Sequence, residues 1–240
     1  MIDRVANWIR DAQHVAVLTG AGISAESGVP VFRGTDGLWR QFRPEELATP
    51  EAFERQPELV WEWYLWRRAR IAQAQPNDGH RTIARWQQSR PGVVLLTQNV
   101  DGLHARAGSP DPVELHGNLW RVRCAAGCGA RALDREEDPP RSELTCACGA
   151  WLRPDVVWFG EPLNVHVMGE AEDAIERADI VLVVGTSAVV YPVAGLPQHA
   201  KRRGARVVEV NVTETPLSSQ VDAILRGPAG QVLPALERAL

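Results

Sequence analysis

Tyr64 and Arg67 stand three residues apart in "VWEWYLWRRAR", Val60 to Arg70. Residues at that spacing point the same way on a helix, so a phenol and a guanidinium converge on one spot. Such a pair suits an anion. Guanidinium and carboxylate form charge-assisted hydrogen bonds, and a phenol donates one more. The same spacing also suits an arginine stem laid along a core of tryptophans with its head in water. Arg68, four residues beyond Tyr64, could face the same spot.

Other stretches carry groups of different chemistry. "GAGISAESGVPVFRG", Gly20 to Gly34, follows an apolar run. Glycines there let the backbone approach a pyrophosphate, whose charge the amides and a following helix N-terminus hold. A plain tight turn reads alike, and the spacing is not G-x-G-x-x-G, because Gly22 is followed by Ile23, Ser24 and Ala25. "TQNVDGLH", Thr97 to His104, clusters Gln98, Asn99 and Asp101. Those groups suit an amide-bearing ligand such as a nicotinamide, or the capping of a turn and a helix. His116, in "VELHGNL", has the side chain best suited to take a proton near neutral pH. "GTSAVVYP", Gly185 to Pro192, puts small hydroxyl residues after a strand, again suited to phosphate, and Asn211 in "EVNVTETP" could bond a ribose hydroxyl.

Cys124, Cys128, Cys146 and Cys148 are spaced C-x3-C and, seventeen residues on, C-x-C. Two close pairs of thiolates suit a closed tetrahedral zinc site, although both halves depart from the usual C-x2-C. Two disulfides are the alternative. A reducing compartment favours the metal.

These groups need elements to position them. "HVAVLTGAG", "GVVLLTQN", "PDVVWFGE", "DIVLVVGTS" and "ARVVEVNV" are short valine- and leucine-rich runs ending in polar or glycine-rich sequence. Helical patterns lie between several of them, for example Val167 to Ala178. Strands alternating with helices predict an α/β fold, a Rossmann-like parallel sheet covered on both faces, with function at the strands' C-terminal ends. Residues 36–83 read as helices and 119–154 hold all four cysteines. Together they predict a smaller helical and zinc-binding module on a main domain of 1–35, 84–118 and 155–240.

At 240 residues the chain can bury a substantial core. A net charge of −4, with only short basic runs, leaves no dedicated nucleic-acid surface evident. The longest aliphatic run, Ile180 to Val184, is too short for a membrane span, and "MIDRVANWIRDAQ" reads as an amphipathic helix rather than a signal peptide. A cytoplasmic setting is the expectation. Among 26 basic residues Lys201 is the only lysine, and Tyr64 and Tyr191 are the only tyrosines.

Taken in order, the glycine-rich stretch with "GLW", then "TQNVDGLH", "LHG", the paired cysteines, "VVWFGE", "GTSAVVYP", "VN" and "GPAG" resemble the sirtuins, NAD-dependent protein lysine deacylases. The likeness spans nearly the whole chain. "LATP", Leu47 to Pro50, and Tyr64-x-x-Arg67 resemble the class III branch, which removes succinyl, malonyl or glutaryl groups and often acetyl. The resemblance implies acyl transfer to NAD with no hydride moved, giving nicotinamide and O-acyl-ADP-ribose, and one structural zinc ion. His116 would be the base. Gly20, Ala21, Arg33, Gln98, Asn99, Asp101, Gly185, Thr186, Ser187, Asn211 and Ala229 would line the cofactor cleft. Tyr64 and Arg67 would hold the distal carboxylate of the acyl group, with Ala48 leaving room for it. An acyl-lysine protein or peptide would pair as a strand between Phe159, Gly160 and Glu161 on one side and Val189, Val190 and Tyr191 on the other. An ADP-ribosyltransferase or a catalytically idle scaffold could use the same cofactor cleft.

Overall fold

The computed structural model describes residues 1–31, 43–133 and 144–240. Helix α1 (Ile2–Asp11) leads into β1 (Val15–Thr19) and a single helical turn, α2 (Gly22–Ala25). Then come α3 (Pro44–Leu47), α4 (Pro50–Arg55), α5 (Pro57–Gln73), α6 (Asp78–Ser89) and β2 (Val93–Thr97). α7 (Leu103–Arg106), β3 (Val113–Glu114), β4 (Gly117–Cys124), β5 (Arg131–Leu133) and β6 (Leu152–Val156) follow. The order ends with α8 (Val165–Arg177), β7 (Ile180–Val184), α9 (Leu196–Arg202), β8 (Arg206–Asn211), β9 (Ala223–Arg226) and α10 (Ala229–Arg238).

Six strands form one parallel sheet in the order β3-β2-β1-β7-β8-β9. Counted within that sheet the order is 3-2-1-4-5-6, so the winding reverses between β1 and β7 and opens a crevice there. Both of those strands are buried at every residue, as central strands covered on two faces must be. On one face Val5, Ile9, Ile83, Trp86 and Leu233 of α1, α6 and α10 pack on the sheet. On the other, Ala171 and Ile175 of α8 and Leu196 and Ala200 of α9 do so.

The run "PDVVWFGE" does not join this sheet. Its first residues end β6, which pairs antiparallel with β4 in a separate three-stranded sheet, β5-β4-β6. A short apolar run reports burial rather than the direction of its neighbour. Helix α8 starts at Val165 rather than Val167, because the Asn164 side chain caps it, accepting from His166 N at 2.9 Å and Val167 N at 3.4 Å.

A third core joins α3, α4 and α5 to the small sheet through Leu47, Phe53, Trp61, Leu119, Val122 and Trp158. Helix α4 begins with Thr49 as N-cap, bonded by Ala52 N at 3.1 Å, and Pro50 in its first turn. Helix α5 buries Val60, Trp61, Trp63, Tyr64, Arg67, Arg68 and Ile71. At 100° per residue these fall on one broad arc, with Arg67 toward the Trp63 edge and Arg68 beside Trp61. The neighbouring arginines therefore leave the helix in different directions.

Candidate active site

A continuous cleft of about 1510 Å³ opens at the C-terminal ends of β1, β7 and β8 and extends to α5. Gly20 and Ala21, Gly185 to Ser187, Asn211 and Ala229 all border it. Its glycines serve close packing between loops. Gly22 N donates to Gly185 O at 2.7 Å, and a Cβ on Gly20 or Gly22 would meet Thr186 at 2.7 Å or Gly185 O at 2.6 Å. Gln98 Nε2 bonds Thr186 Oγ1 at 3.0 Å and Asn211 Nδ2 bonds Thr186 O at 2.9 Å, so three strand ends are knitted around one floor. The helix expected after the glycines is the single turn α2. Backbone amides, more than a helix dipole, are thus available to an anion. Arg33 lies outside the described residues.

Asn99 uses its amide hydrogens on Gly20 O at 3.1 Å and Ser24 Oγ at 3.3 Å, which leaves its Oδ1 to accept from a ligand. Asp101 does not reach the cleft wall. Its carboxylate is buried, accepting from Ser24 Oγ at 2.7 Å and Leu103 N at 2.9 Å. Burial raises its pKa, opposed by those two bonds and by the charges of Arg67 and Arg106. Behind Ser24 stands His80, whose Nδ1 accepts from Asn77 N at 3.3 Å and whose Nε2 then donates to Ser24 Oγ at 3.3 Å. Burial and the Arg81 charge lower His80 to about 4. It is neutral at pH 7. Sequence reasoning missed Ser24 and His80. Their signals were a serine inside the glycine stretch and an Asn77-x-x-His80 capping pattern ahead of α6.

His116 borders the cleft between β3 and β4. Its Nδ1 lies 3.1 Å from Gln98 O, and a carbonyl only accepts, so Nδ1 carries the hydrogen and Nε2 keeps its lone pair. Burial lowers its pKa and the Gln98 bond partly offsets this. The imidazole is therefore a neutral base with a fixed tautomer. The turn beyond it needs Gly117, at φ 80°, where a Cβ would meet Asp155 O at 2.1 Å.

Tyr64 and Arg67 reach the same cleft, while Arg68 points elsewhere. Arg68 Nε donates to Leu119 O at 2.9 Å, with its guanidinium between the rings of Trp61 and Trp120. Arg67 sits 4.9 Å from the Trp63 ring centre and 5.6 Å from that of Tyr64. It is 7% exposed, which rules out an arginine head in water. Burial lowers its pKa and raises that of the Tyr64 phenol, with each tempering the other. Trp158 Nε1 donates to Tyr64 Oη at 2.8 Å, leaving the phenol's own hydrogen to be given away. Trp158, which no sequence argument singled out, thus orients the phenol. Ala48 borders the cleft beside them, and its carbonyl accepts from Phe159 N at 2.9 Å.

Phe159, Gly160, Glu161, Val189, Val190 and Tyr191 form opposite rims of the cleft. The Glu161 side chain is engaged by Arg153 through two bonds, at 2.6 and 2.9 Å, and accepts from Trp158 N at 2.9 Å. It braces its own rim.

The four cysteines converge on the small sheet. They are free, and their sulfurs all lie within 4.8 Å of one another. A tetrahedral zinc with bonds of about 2.3 Å places sulfurs about 3.8 Å apart, so the donor set fits. Each pair sits on a tight turn: Gly127 N bonds Cys124 O at 3.2 Å and Gly149 N bonds Cys146 O at 2.8 Å, with both glycines at positive φ. Those turns accommodate the C-x3-C and C-x-C spacings. The cluster joins β4 to the segment before β6, and β4 begins next to His116. Cys146→Ser is expected to lower the melting temperature by roughly 10 °C or more, with activity and fold lost together, since zinc affinity is folding free energy. Calorimetry with and without a chelator checks this. A chelated protein that stays folded but turns nothing over would assign the metal a different role.

Doubly wound order, a glycine-floored crevice at the reversal point and a neutral base beside it define an α/β enzyme of the dinucleotide-binding class. Residues 20–192 match the Sir2 family. The chain belongs to that family, the sirtuins, in its class III branch. A relative from Pyrobaculum aerophilum, "NAD-dependent protein deacylase 2", is 53% identical over 236 residues, covering 97% of this chain and 93% of that one. A solved Sir2 homologue mutant in complex with ADP-ribose superposes with TM-score 0.95 at 46% identity, covering 100% of this chain and 96% of the other. A Sir2 variant with a deacetylated p53 peptide and 3′-O-acetyl-ADP-ribose gives 0.86 at 29% identity, covering 99% and 97%. NAD and a zinc ion are the ligands these sites fit. Among the described residues no helix is long and apolar enough to cross a membrane.

Proposed function

We propose that the chain is an NAD-dependent protein lysine deacylase that removes acetyl and acidic acyl groups, succinyl and malonyl, yielding nicotinamide and O-acyl-ADP-ribose. The observation that carries this is one cleft holding both a tautomer-fixed neutral base, His116, and a buried phenol–guanidinium pair, Tyr64 and Arg67. When bound, NAD supplies an electrophilic ribose carbon with nicotinamide as its leaving group, and its ADP-ribose part takes the acyl group.

The chain's own residues do the rest. Amides of Ala21, Thr186 and Ser187 would face the phosphates, with Gly20 and Gly185, whose own N–H groups are spent on Val184 O and Val210 O, giving close backbone approach; Asn211 would face a ribose hydroxyl and Ala229 the adenine end. Asn99 Oδ1 accepts from the nicotinamide amide, and Gln98 lies beside the ribose. Asp101 acts from behind, fixing Ser24 and through it Asn99. His116 takes a hydroxyl proton at Nε2. The acyl-lysine backbone adds as a strand between the two rims, and its acyl chain passes Ala48 toward Tyr64 and Arg67. In this reading residues 1–35, 84–118 and 155–240 carry the cofactor, and 36–83 with 119–154 carry the acyl pocket and the zinc.

Mass spectrometry of one peptide bearing acetyl-lysine or succinyl-lysine, with and without NAD, tests the proposal. The expected result is NAD-dependent loss of both groups and formation of the matching O-acyl-ADP-ribose. Loss of acetyl alone would remove the acidic-acyl part. Turnover of neither would favour the scaffold or transferase readings.

A further inference from the structure

Glu209 lies inside β8 and is 1% exposed, yet it is a carboxylate. A buried ionised group is costly unless its lone pairs are filled. Both oxygens are filled from the loop that follows the strand. Thr215 Oγ1 donates to Oε1, and Ser218 Oγ donates to Oε2 at 2.5 Å. Each hydroxyl then accepts a backbone amide of the same loop, Leu217 N on Thr215 Oγ1 at 3.2 Å and Thr215 N on Ser218 Oγ at 2.9 Å. Every oxygen in the knot thus serves the shape of residues 212–218.

That loop is also held from two other sides. Arg226 of β9 donates to the Thr213 carbonyl, and the buried Leu217 packs into the core under α9. Residues Val212 to Pro216 border the cleft, whereas Glu209 does not. Their stretch is the rim on the β8–β9 side, away from His116. Because the base must meet the nicotinamide ribose, this rim faces the adenosine half of the cofactor.

We infer that Glu209 is a positioning residue for NAD: through Thr215 and Ser218 it preforms the rim that receives the adenosine half, without touching reactant. This rests on the proposed NAD-dependent activity. The buried neighbours on the same strand, Val207, Val208 and Val210, are all apolar. The carboxylate is explained by the loop it shapes. In Glu209→Gln the new amide N–H₂ cannot accept, so one hydroxyl must turn its hydrogen away, which loses a charge-assisted bond and loosens the knot that shapes the loop.

The test is calorimetric NAD binding together with steady-state kinetics, on the unmodified chain, Glu209→Gln, Thr215→Val and the double variant. Losing a charge-assisted bond that orders the rim is expected to weaken NAD binding and raise its KM about tenfold. kcat at saturating NAD and KM for the acyl peptide are expected to hold. The double variant should be no worse than Glu209→Gln alone, as members of one network are not additive. Unchanged NAD affinity in a folded Glu209→Gln, or equal losses in kcat and in both KM values, would overturn the inference. Should Glu209→Gln fail to fold, Thr215→Val decides by the same readouts. Failure of the unmodified chain to bind NAD would instead sink the proposed activity.

Discussion

His116→Ala is expected to lower deacylase kcat/KM by roughly 10²–10⁴-fold, the range that a positioned general base contributes. NAD is expected to bind the variant about as well as the parent. The distinction comes from how the imidazole is held. Its Nδ1 hydrogen is committed to Gln98 O, so its useful atom is Nε2, a lone pair facing the cleft. His116 reaches the cofactor floor only through the Gln98 backbone carbonyl, while the Gln98 and Asn211 side chains tie that floor together through Thr186. Direct NAD binding beside peptide turnover checks the split. Turnover within a few-fold of the parent would end the general-base assignment. The pH profile gives an independent reading. Burial disfavours the imidazolium, so the base stays free as pH falls past the ordinary histidine value. The acid limb of kcat/KM should therefore lie below about 6.5 and vanish with the histidine.

How much of this was legible in the chain depends on whether the determinant was local. The continuous valine and leucine runs ending at Thr19, Thr97, Val184 and Asn211 became parallel strands because burial on both faces is written into each segment. Tyr64 and Arg67 were legible as a pair because helical spacing alone aligns them. That Arg68 leaves the pocket was not legible: its partners, Leu119 O and the Trp120 ring, come from a strand some fifty positions away. "PDVVWFGE" failed for the same reason, since its neighbour β4 is set by the fold and not by its own valines. Asp101 carried the right chemistry for a ligand; that Ser24 Oγ and Leu103 N also bond its carboxylate was not legible, because Ser24 comes from a distant loop. The glycines of the first loop were read as room for a ligand, and much of that room is filled by Gly185 and Thr186.

The hidden network also joins the two ends of the cleft. Arg67 at the acyl end and Asp101 behind the cofactor feel each other's charge, each favouring the other's ionised form. Trp120 Nε1 donates to Asp101 O at 2.9 Å while its ring lies against Arg68, so helix α5 is registered against the cofactor loop. In the proposed reading, acyl recognition and cofactor geometry would therefore rest on one packed unit.

Arg67→Met is expected to cut kcat/KM for succinyl-lysine by roughly 10²–10³-fold, while acetyl-lysine changes by only a few-fold. The magnitude follows from the charge left behind. A carboxylate drawn into this pocket gives up its water, and removing the guanidinium leaves it buried and unpaired, at a cost of about 3–5 kcal/mol. Methionine keeps the unbranched bulk packed against Trp63, so the acetyl substrate loses little. Tyr64→Phe is the milder companion. It removes one donor to the carboxylate and strands the buried Trp158 Nε1, which now donates to the phenol, so it should cost about tenfold for succinyl and also lower stability. Competing peptides in one reaction give the ratio of kcat/KM values directly, free of errors in enzyme concentration. Equal losses for both acyl groups would show that Arg67 serves the packing of α5. A selective loss would assign the phenol–guanidinium pair to the acid end of the substrate, since an uncharged acetyl group gives a cation at that depth nothing to neutralise.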